Sequence, residues 1–279
     1  MQLNLSSIKM LFANLHFNVD DNPNEMVFIG IRGSQVDKYV NQVDSLEAAA
    51  KNIVSDTYCC TILQVYQNKI AGFLASTLPG NYYEQNPENP EGVARLLPGL
   101  FLFNRGVHMG HEAFVQGNNV FIILRDTNKN EVFDYDSDYF QAGAGWGIDI
   151  HSGGGYPNVA RNSAGCNIIR GDKDSNGNWR GWDSVPWTTF KSKAYSATNN
   201  IYKYILIPYG WIENILNGSQ YCMYGSSGDR VKIIQSKLGL NADGNYGVET
   251  TKAVMQFQGQ NSIQKNGIVG PQTALAMGV

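Results

Sequence analysis

His151 and Cys166 are one of four histidines and one of four cysteines in the chain, and they stand fifteen residues apart. A cysteine attacks well only as the thiolate, and at an ordinary pKa a few per cent is ionised near neutral pH. A histidine within hydrogen-bond reach removes the proton and later returns it to a leaving group. Cys166 ends the run Ser163-Ala164-Gly165-Cys166, where glycine allows a tight turn beside the sulfur. His151 closes the strand-like "GIDIH" and precedes a glycine-rich loop. Asp149 lies two residues earlier, hence on the same strand face, and is expected to orient the imidazole. The plainer alternative is an inert buried thiol beside a structural histidine.

Other residues have metal-binding spacing. His108 and His111, three apart in "GVHMGHE", would complete a zinc set with His151, although His-Glu-x-x-His is absent. "DKDSNGNWRGWD" has calcium-loop spacing, with Asp172, Asp174, Asn176, the Asn178 carbonyl and Asp183 as oxygen ligands and Gly177 at the turn. The same letters, "SNGN", also spell a hairpin turn. "RDTNKNEVFDYD" is a second polar loop without that glycine. Glu112, Asp126, Asp134 and Asp149 are carboxylates available to a glycosidase.

Elements must hold these groups in place. Ile8, Leu11 and Leu15 are spaced for a short helix, closed by Asn22-Pro23-Asn24. Residues 26–33 read as a strand, and Ser45 to Val54 as a short helix with Ser45 as N-cap. Residues 60–77 alternate as a hairpin turning at Gln67-Asn68. "GLFLFNRG", "AFVQGNNVFIILRD", "GWGIDIH" and Ile201 to Pro208 are further strands. The fold class expected is α+β: a mainly β domain over residues 1–217, a linker over 218–228, and a small all-α domain over 229–279.

The last part is built differently. Asp229 is placed to cap a helix that buries Val231, Ile234 and Leu238. "DGNYGVET" turns into a second helix with Ala253, Val254 and Phe257 inward, and "NGIVGPQT" repeats the turn with Pro271 at a first helical position.

Composition excludes some roles. The chain has 279 residues, a net charge of −3 and no basic block, which argues against nucleic acid. No apolar run reaches the roughly 18 residues of a membrane span. The start lacks a signal-peptide pattern, so synthesis in the cytoplasm without a secretory address is expected. Four cysteines, two of them adjacent, read as free thiols rather than a disulfide framework.

"VKIIQSKLGL", "DGNYGVETTKAVMQFQ" and "GIVGPQTALAM" together resemble the three-helix peptidoglycan-binding domain found at the ends of cell-wall enzymes. The resemblance implies peptidoglycan as partner. His151-Ser152, a spacer, and Ser163-Ala164-Gly165-Cys166-Asn167 resemble the active-site signature of the L,D-transpeptidase family. That signature is a histidine, a spacer, then Ser/Thr-His-Gly-Cys. The resemblance implies a β-rich fold, Cys166 as nucleophile, His151 as base, and Gly165 with the Cys166 amide near the oxyanion. Ser163 is carried over as a catalytic residue with Gly165, and His108, Ser152 and Arg161 as substrate-binding residues. Where the family has a histidine before Gly-Cys this chain has Ala164, and His108 is the candidate to fill that place. Eleven residues separate His151 from Ser163, a short spacer for the family.

The expected function is a peptidoglycan-active enzyme that cuts or exchanges a stem-peptide amide with no required cofactor and calcium as an optional ion. It would act at the wall after release as a phage endolysin or injection as an effector, with an immunity protein as partner in the second case. A glycosidase and a non-catalytic wall-binding protein are the alternatives.

Overall fold

The computed structural model describes every residue except 20, 21, 38, 155 and 156. Part of the glycine-rich loop after His151 therefore lies outside the described residues.

Eight strands close into a β-barrel. In order around the ring they are Asn167–Ile169, Ile150–Ser152, His111–Val115, Gly99–His108, Ile201–Pro208, Val27–Arg32, Cys60–Tyr66 and Lys69–Ser76. The last pairs back to the first through Ile168 opposite Ser76 and Ile169 opposite Ala75. Closure leaves the ring without a free edge. Val40–Val43 pairs on the outside of Lys69–Ser76. The Cys60–Tyr66 and Lys69–Ser76 hairpin turns at Gln67 and Asn68, both at positive φ (50° and 58°). That pair of angles matches the twist of the flanking strands.

Val27–Arg32 is buried at every position because both its faces are covered. Phe28 points inward and packs on Phe114, Phe190 and Tyr202, ring centroids 4.9–5.0 Å apart. Helix Val185–Ser196 supplies Phe190 and the fully buried Trp187 to this inner core. Val27, Ile29 and Ile31 point outward, under helices Leu5–Asn14 and Tyr209–Leu216. Ile8, Leu11 and Leu15 are all buried there, as their spacing predicts. That helix stops at Asn14, before the Asn-Pro-Asn signal, and Asn4 and Ser7 form its capping box.

The predicted helix over Ser45 to Val54 is absent. Ser45–Glu47 and Ala49–Ala50 are short strands instead, the first paired with Gln2–Asn4. Leu46 and Ala48 are both buried while Glu47 is exposed, a two-residue period that no helix face satisfies.

Residues 218–228 do not behave as a loose linker. Met223 is fully buried in the barrel's outer core, together with Tyr221 and, from the tail, Ile268. Tyr224 stacks on Phe101 and donates its hydroxyl to the Val120 carbonyl at 2.8 Å. Ser226 Oγ donates to the Leu15 carbonyl, and Cys222 pairs with Val269 of the tail. The apolar letters in this segment are few, but Tyr221, Cys222 and Met223 are core residues and Tyr224 packs against the core.

The tail has the three expected helices, Asp229–Lys237, Val248–Gln260 and Pro271–Met277, around Val231, Ile234, Tyr246, Val254 and Val269. Its repeat is atomic. Gln235 Nε2 donates to Asp243 Oδ1, the Asn245 carbonyl and Thr250 Oγ1, while its Oε1 accepts from the Gly244 amide. Gln258 makes the same four bonds to Asn266, Ile268, Thr273 and Gly267. Each buried amide thus ties a turn to the helix that follows it.

Candidate active site

The barrel brings His151 and Cys166 together through a parallel pairing. Ile150–Ser152 lies beside Asn167–Ile169 with Ile150 opposite Asn167. Cys166 therefore falls opposite Asp149, one step before the strand: the Asn167 amide donates to the Asp149 carbonyl at 2.9 Å, and the Asp149 amide points to Cys166 Sγ at 3.4 Å. Fourteen residues between the two strands return the chain to within one register step. The neighbouring Gly99–His108 and His111–Val115 hairpin turns at Met109-Gly110, both at positive φ, and sets His108 over the same end of the barrel.

The three side chains form a cluster. One ligand-type atom each from His108, His151 and Cys166 lies within 4.8 Å of the others. His151 Nδ1 is bonded to the Ser152 carbonyl at 2.8 Å, which leaves Nε2 buried without a hydrogen-bond partner. His108 stacks on His151 and bonds Asp149 Oδ2 through Nδ1 at 2.8 Å. The second Asp149 oxygen accepts from the Gln116 amide. Asp149 thus orients His108, not His151 as the sequence suggests. Two residues apart on one strand share a face but stand about 7 Å apart along the chain, whereas the adjacent strand's His108 is in reach.

The electrostatics follow from burial. His151 is 4 % exposed, and desolvation with the nearby His108 holds its imidazole down to about 3. Burial pushes the Cys166 thiol up to about 12, with the Asp149 carboxylate adding to the effect. At neutral pH the resting pair is an uncharged thiol beside an uncharged imidazole. Cys166 Sγ meanwhile points to the Gly147 carbonyl at 3.2 Å.

The turn before Cys166 is built by Ser163 and Gly165. Ser163 Oγ donates to the Cys166 carbonyl at 2.8 Å and accepts from the Gly165 amide at 3.1 Å. That bond occupies the Gly165 amide, so its expected place near an oxyanion is not supported by the geometry. Gly165 has φ 145°, and a Cβ there would lie 2.8 Å from the Ala94 carbonyl oxygen, so no larger residue fits. Ser152 acts through its carbonyl on His151, while its hydroxyl donates to the Gly181 carbonyl.

The cluster opens into a cleft of about 770 Å³. Arg161 lines it with its guanidinium 3.9 Å over the Tyr82 ring. Tyr83, Glu88, Trp146 and Trp182 also line it, and sequence reasoning passed over all four. Trp182 had a signal: three tryptophans (Trp179, Trp182 and Trp187) fall within one nine-residue span downstream of the cysteine. Its ring stacks on His111 at 4.4 Å and on His151 at 5.5 Å. His111 is exposed and stands outside the cluster, so the zinc set expected from His108, His111 and His151 is not assembled.

The proposed calcium ligands lie in a hairpin, with Lys173 bridged to Trp179. Asp172 accepts from the Arg180 guanidinium and the Val185 amide. Asp174 accepts from the amides of Asn176 and Asn178. Among the described residues, Asp172, Asp174 and Asp183 do not gather into a metal-ligand cluster. The "SNGN" letters form the turn of that hairpin, with Gly177 at positive φ and the Asp174 amide donating to the Asn178 carbonyl. Of the four carboxylates considered for a glycosidase, Glu112 pairs with Lys191, Asp126 and Asp134 accept from amides of their own loop, and Asp149 alone is bonded to the histidine–cysteine cluster.

Residues 227–277 match the family described as "Putative peptidoglycan binding domain". The chain carries a C-terminal peptidoglycan-binding domain, and its association is with the cell wall. Comparisons with curated proteins and with solved structures give no match. No helix among the described residues is long and apolar enough to cross a membrane. All four cysteines are free thiols, as read from the sequence.

Proposed function

We propose that the barrel is the catalytic domain of a peptidoglycan-active cysteine enzyme of the L,D-transpeptidase type, held on the wall by its tail. The single observation that carries this reading is the buried, unpartnered His151 Nε2 beside the Cys166 sulfur at the floor of an open cleft.

In this reading Cys166 Sγ attacks a stem-peptide carbonyl carbon as its proton passes to His151 Nε2. The tetrahedral adduct collapses, the C–N bond breaks, and the same proton leaves with the amine. Water or a second amine then attacks the thioester and the thiol is restored. The Ser152 carbonyl holds His151 Nδ1, which leaves Nε2 as the nitrogen free to take the proton. Because burial disfavours both charged partners, thiolate does not accumulate at rest, and proton transfer accompanies attack. Arg161 and the Tyr83 and Trp146 side chains are the cleft surfaces that a peptide would meet.

Digestion of purified sacculi followed by mass spectrometry tests the reaction class. New peptide ends that vanish with a folded Cys166→Ala variant support the cysteine mechanism. New reducing sugars would mean a glycosidase, and an unchanged wall would mean a binding protein.

A further inference from the structure

The histidine–cysteine cluster has a second property that does not depend on nucleophilic chemistry. Each imidazole commits its Nδ1 to a fixed acceptor, His108 to the Asp149 carboxylate and His151 to the Ser152 carbonyl. Each therefore presents its other nitrogen, and that of His151 is buried with no partner. A carboxylate or carbonyl behind an imidazole is the support that metal-binding histidines ordinarily have, since it fixes the tautomer and the ring direction. The third member is a sulfur, and all three atoms lie within 4.8 Å of one another. One side of the cluster faces the cleft.

We propose that His108, His151 and Cys166 form a three-ligand site for a zinc ion, with the fourth position open to the cleft. Two imidazole nitrogens and one thiolate suit a borderline-soft, four-coordinate ion better than calcium or magnesium, which take oxygen ligands. Bonds of about 2.0–2.1 Å to nitrogen and 2.3 Å to sulfur bring tetrahedral ligands closer than the resting cluster stands. Binding therefore draws the side chains inward, and it turns the two imidazoles out of their stacked arrangement toward a common point. The Cys166 thiol releases its proton to solvent as the Zn–S bond forms. The ion then occupies both the sulfur and the His151 lone pair. Zinc and a stem peptide exclude one another at Cys166, and zinc acts as a reversible brake on the reaction proposed above. The site itself stands whether or not Cys166 is a nucleophile.

Cobalt(II) is the probe, because a thiolate ligand gives it a charge-transfer band in the near ultraviolet. The full chain is titrated with cobalt chloride and then with zinc chloride. One equivalent, a charge-transfer band and its loss to zinc are expected. Cys166→Ser should abolish the band, His111→Ala should keep it, and Asp149→Asn should weaken binding about 10- to 100-fold. X-ray absorption of the zinc-loaded wild type needs no variant to fold and should give one sulfur and two imidazole nitrogens. A band that survives Cys166→Ser, or zinc bound without sulfur, would overturn the site. Sacculus digestion with and without a chelator separates this proposal from the cysteine mechanism. Turnover that requires zinc removes the thiol nucleophile and retains the ion, but not as a brake. Turnover in chelator that zinc suppresses supports both, and turnover in chelator with no cobalt or zinc binding removes the metal site alone.

Discussion

The imidazoles of His108 and His151 lie face to face, centroids 4.2 Å apart and planes 12° from parallel. They are not equivalent. His108 is held by the Asp149 carboxylate, His151 by the Ser152 carbonyl. The Asp149 carboxylate therefore bears on His151 by way of His108, while its charge and its backbone amide act on Cys166 directly.

Double-mutant cycles should expose that route. His151→Ala should lower turnover by about 10²- to 10⁴-fold, the usual contribution of a positioned base, and Asp149→Asn should cost less. Asp149→Asn and His108→Ala should overlap, the pair costing little more than the worse single change. Asp149→Asn and His151→Ala should come closer to adding. Strong coupling of Asp149 to His151 instead would restore the arrangement that the sequence suggested.

Stability should depend on pH with two opposing limbs. The folded pKa of His151, about 3, lies below the unfolded value of about 6.5, so the unfolded chain takes up the proton first. Its contribution is complete above pH ~6.5 and is lost as pH falls toward 3, at up to about 1.4 kcal/mol per unit. Glu84 runs the other way. Burial, with Asp126 and Glu131 nearby, raises its carboxyl to about 8, so its contribution is present below the unfolded value and is lost as pH rises through 8. In urea melts, Glu84→Gln should gain on the wild type between pH 5 and 8, and His151→Asn should flatten the acid limb. An acid limb of unchanged slope in His151→Asn would assign it elsewhere.

Cutting the chain after residue 217 should destabilise the barrel as well as remove the tail. The cut takes away Met223 from the outer core and Tyr224 from its stack on Phe101. Loss of a fully buried Met alone is worth roughly 2 kcal/mol, or on the order of 5 °C in melting temperature for a domain of this size. Calorimetry of residues 1–217 and of the full chain measures it. An unshifted barrel transition would return the 218–228 segment to the role of a tether.

Gln258→Leu should cost the tail about 2–4 kcal/mol, because it leaves the Gly267 amide and the Ile268 carbonyl buried without their partner. Gln235→Leu should match it, since its bonds are the same. Chemical denaturation of residues 218–279 within the full chain, followed at Tyr246, would reveal two unlike penalties if the repeat were only apparent.

Much of this was legible in the letters. Ile8, Leu11 and Leu15 wrote one helix, Gln67-Asn68 wrote one hairpin, and Val231, Ile234 and Val254 wrote the tail core. His151 and Cys166 were found from their types and their glycines. Local rules misread Ser45 to Val54, because the competing two-residue period there is set by a partner strand at residues 2–4. Trp182 and the bond from Asp149 to His108 depend on which strands become neighbours, and no spacing within one strand encodes that. The hydroxyl of Ser163 reads as chemistry in the sequence and acts as turn geometry in the structure.

Lys265, in the second turn of the tail's repeat, reaches Asp136 in the polar loop of the barrel, 3.5 Å to its carboxylate and 3.3 Å to its carbonyl. With the threaded 218–228 segment, this is a second point of attachment between the two parts. A domain on a slack leash samples every bond within its radius, and its local concentration is set by the leash. Here the grip on the wall and the mouth of the cleft are instead two marks on one gauge. On the proposed function, a tail seated on the wall would bring the cleft to the polymer at one offset and one orientation, so selectivity among chemically identical peptides can come from distance alone.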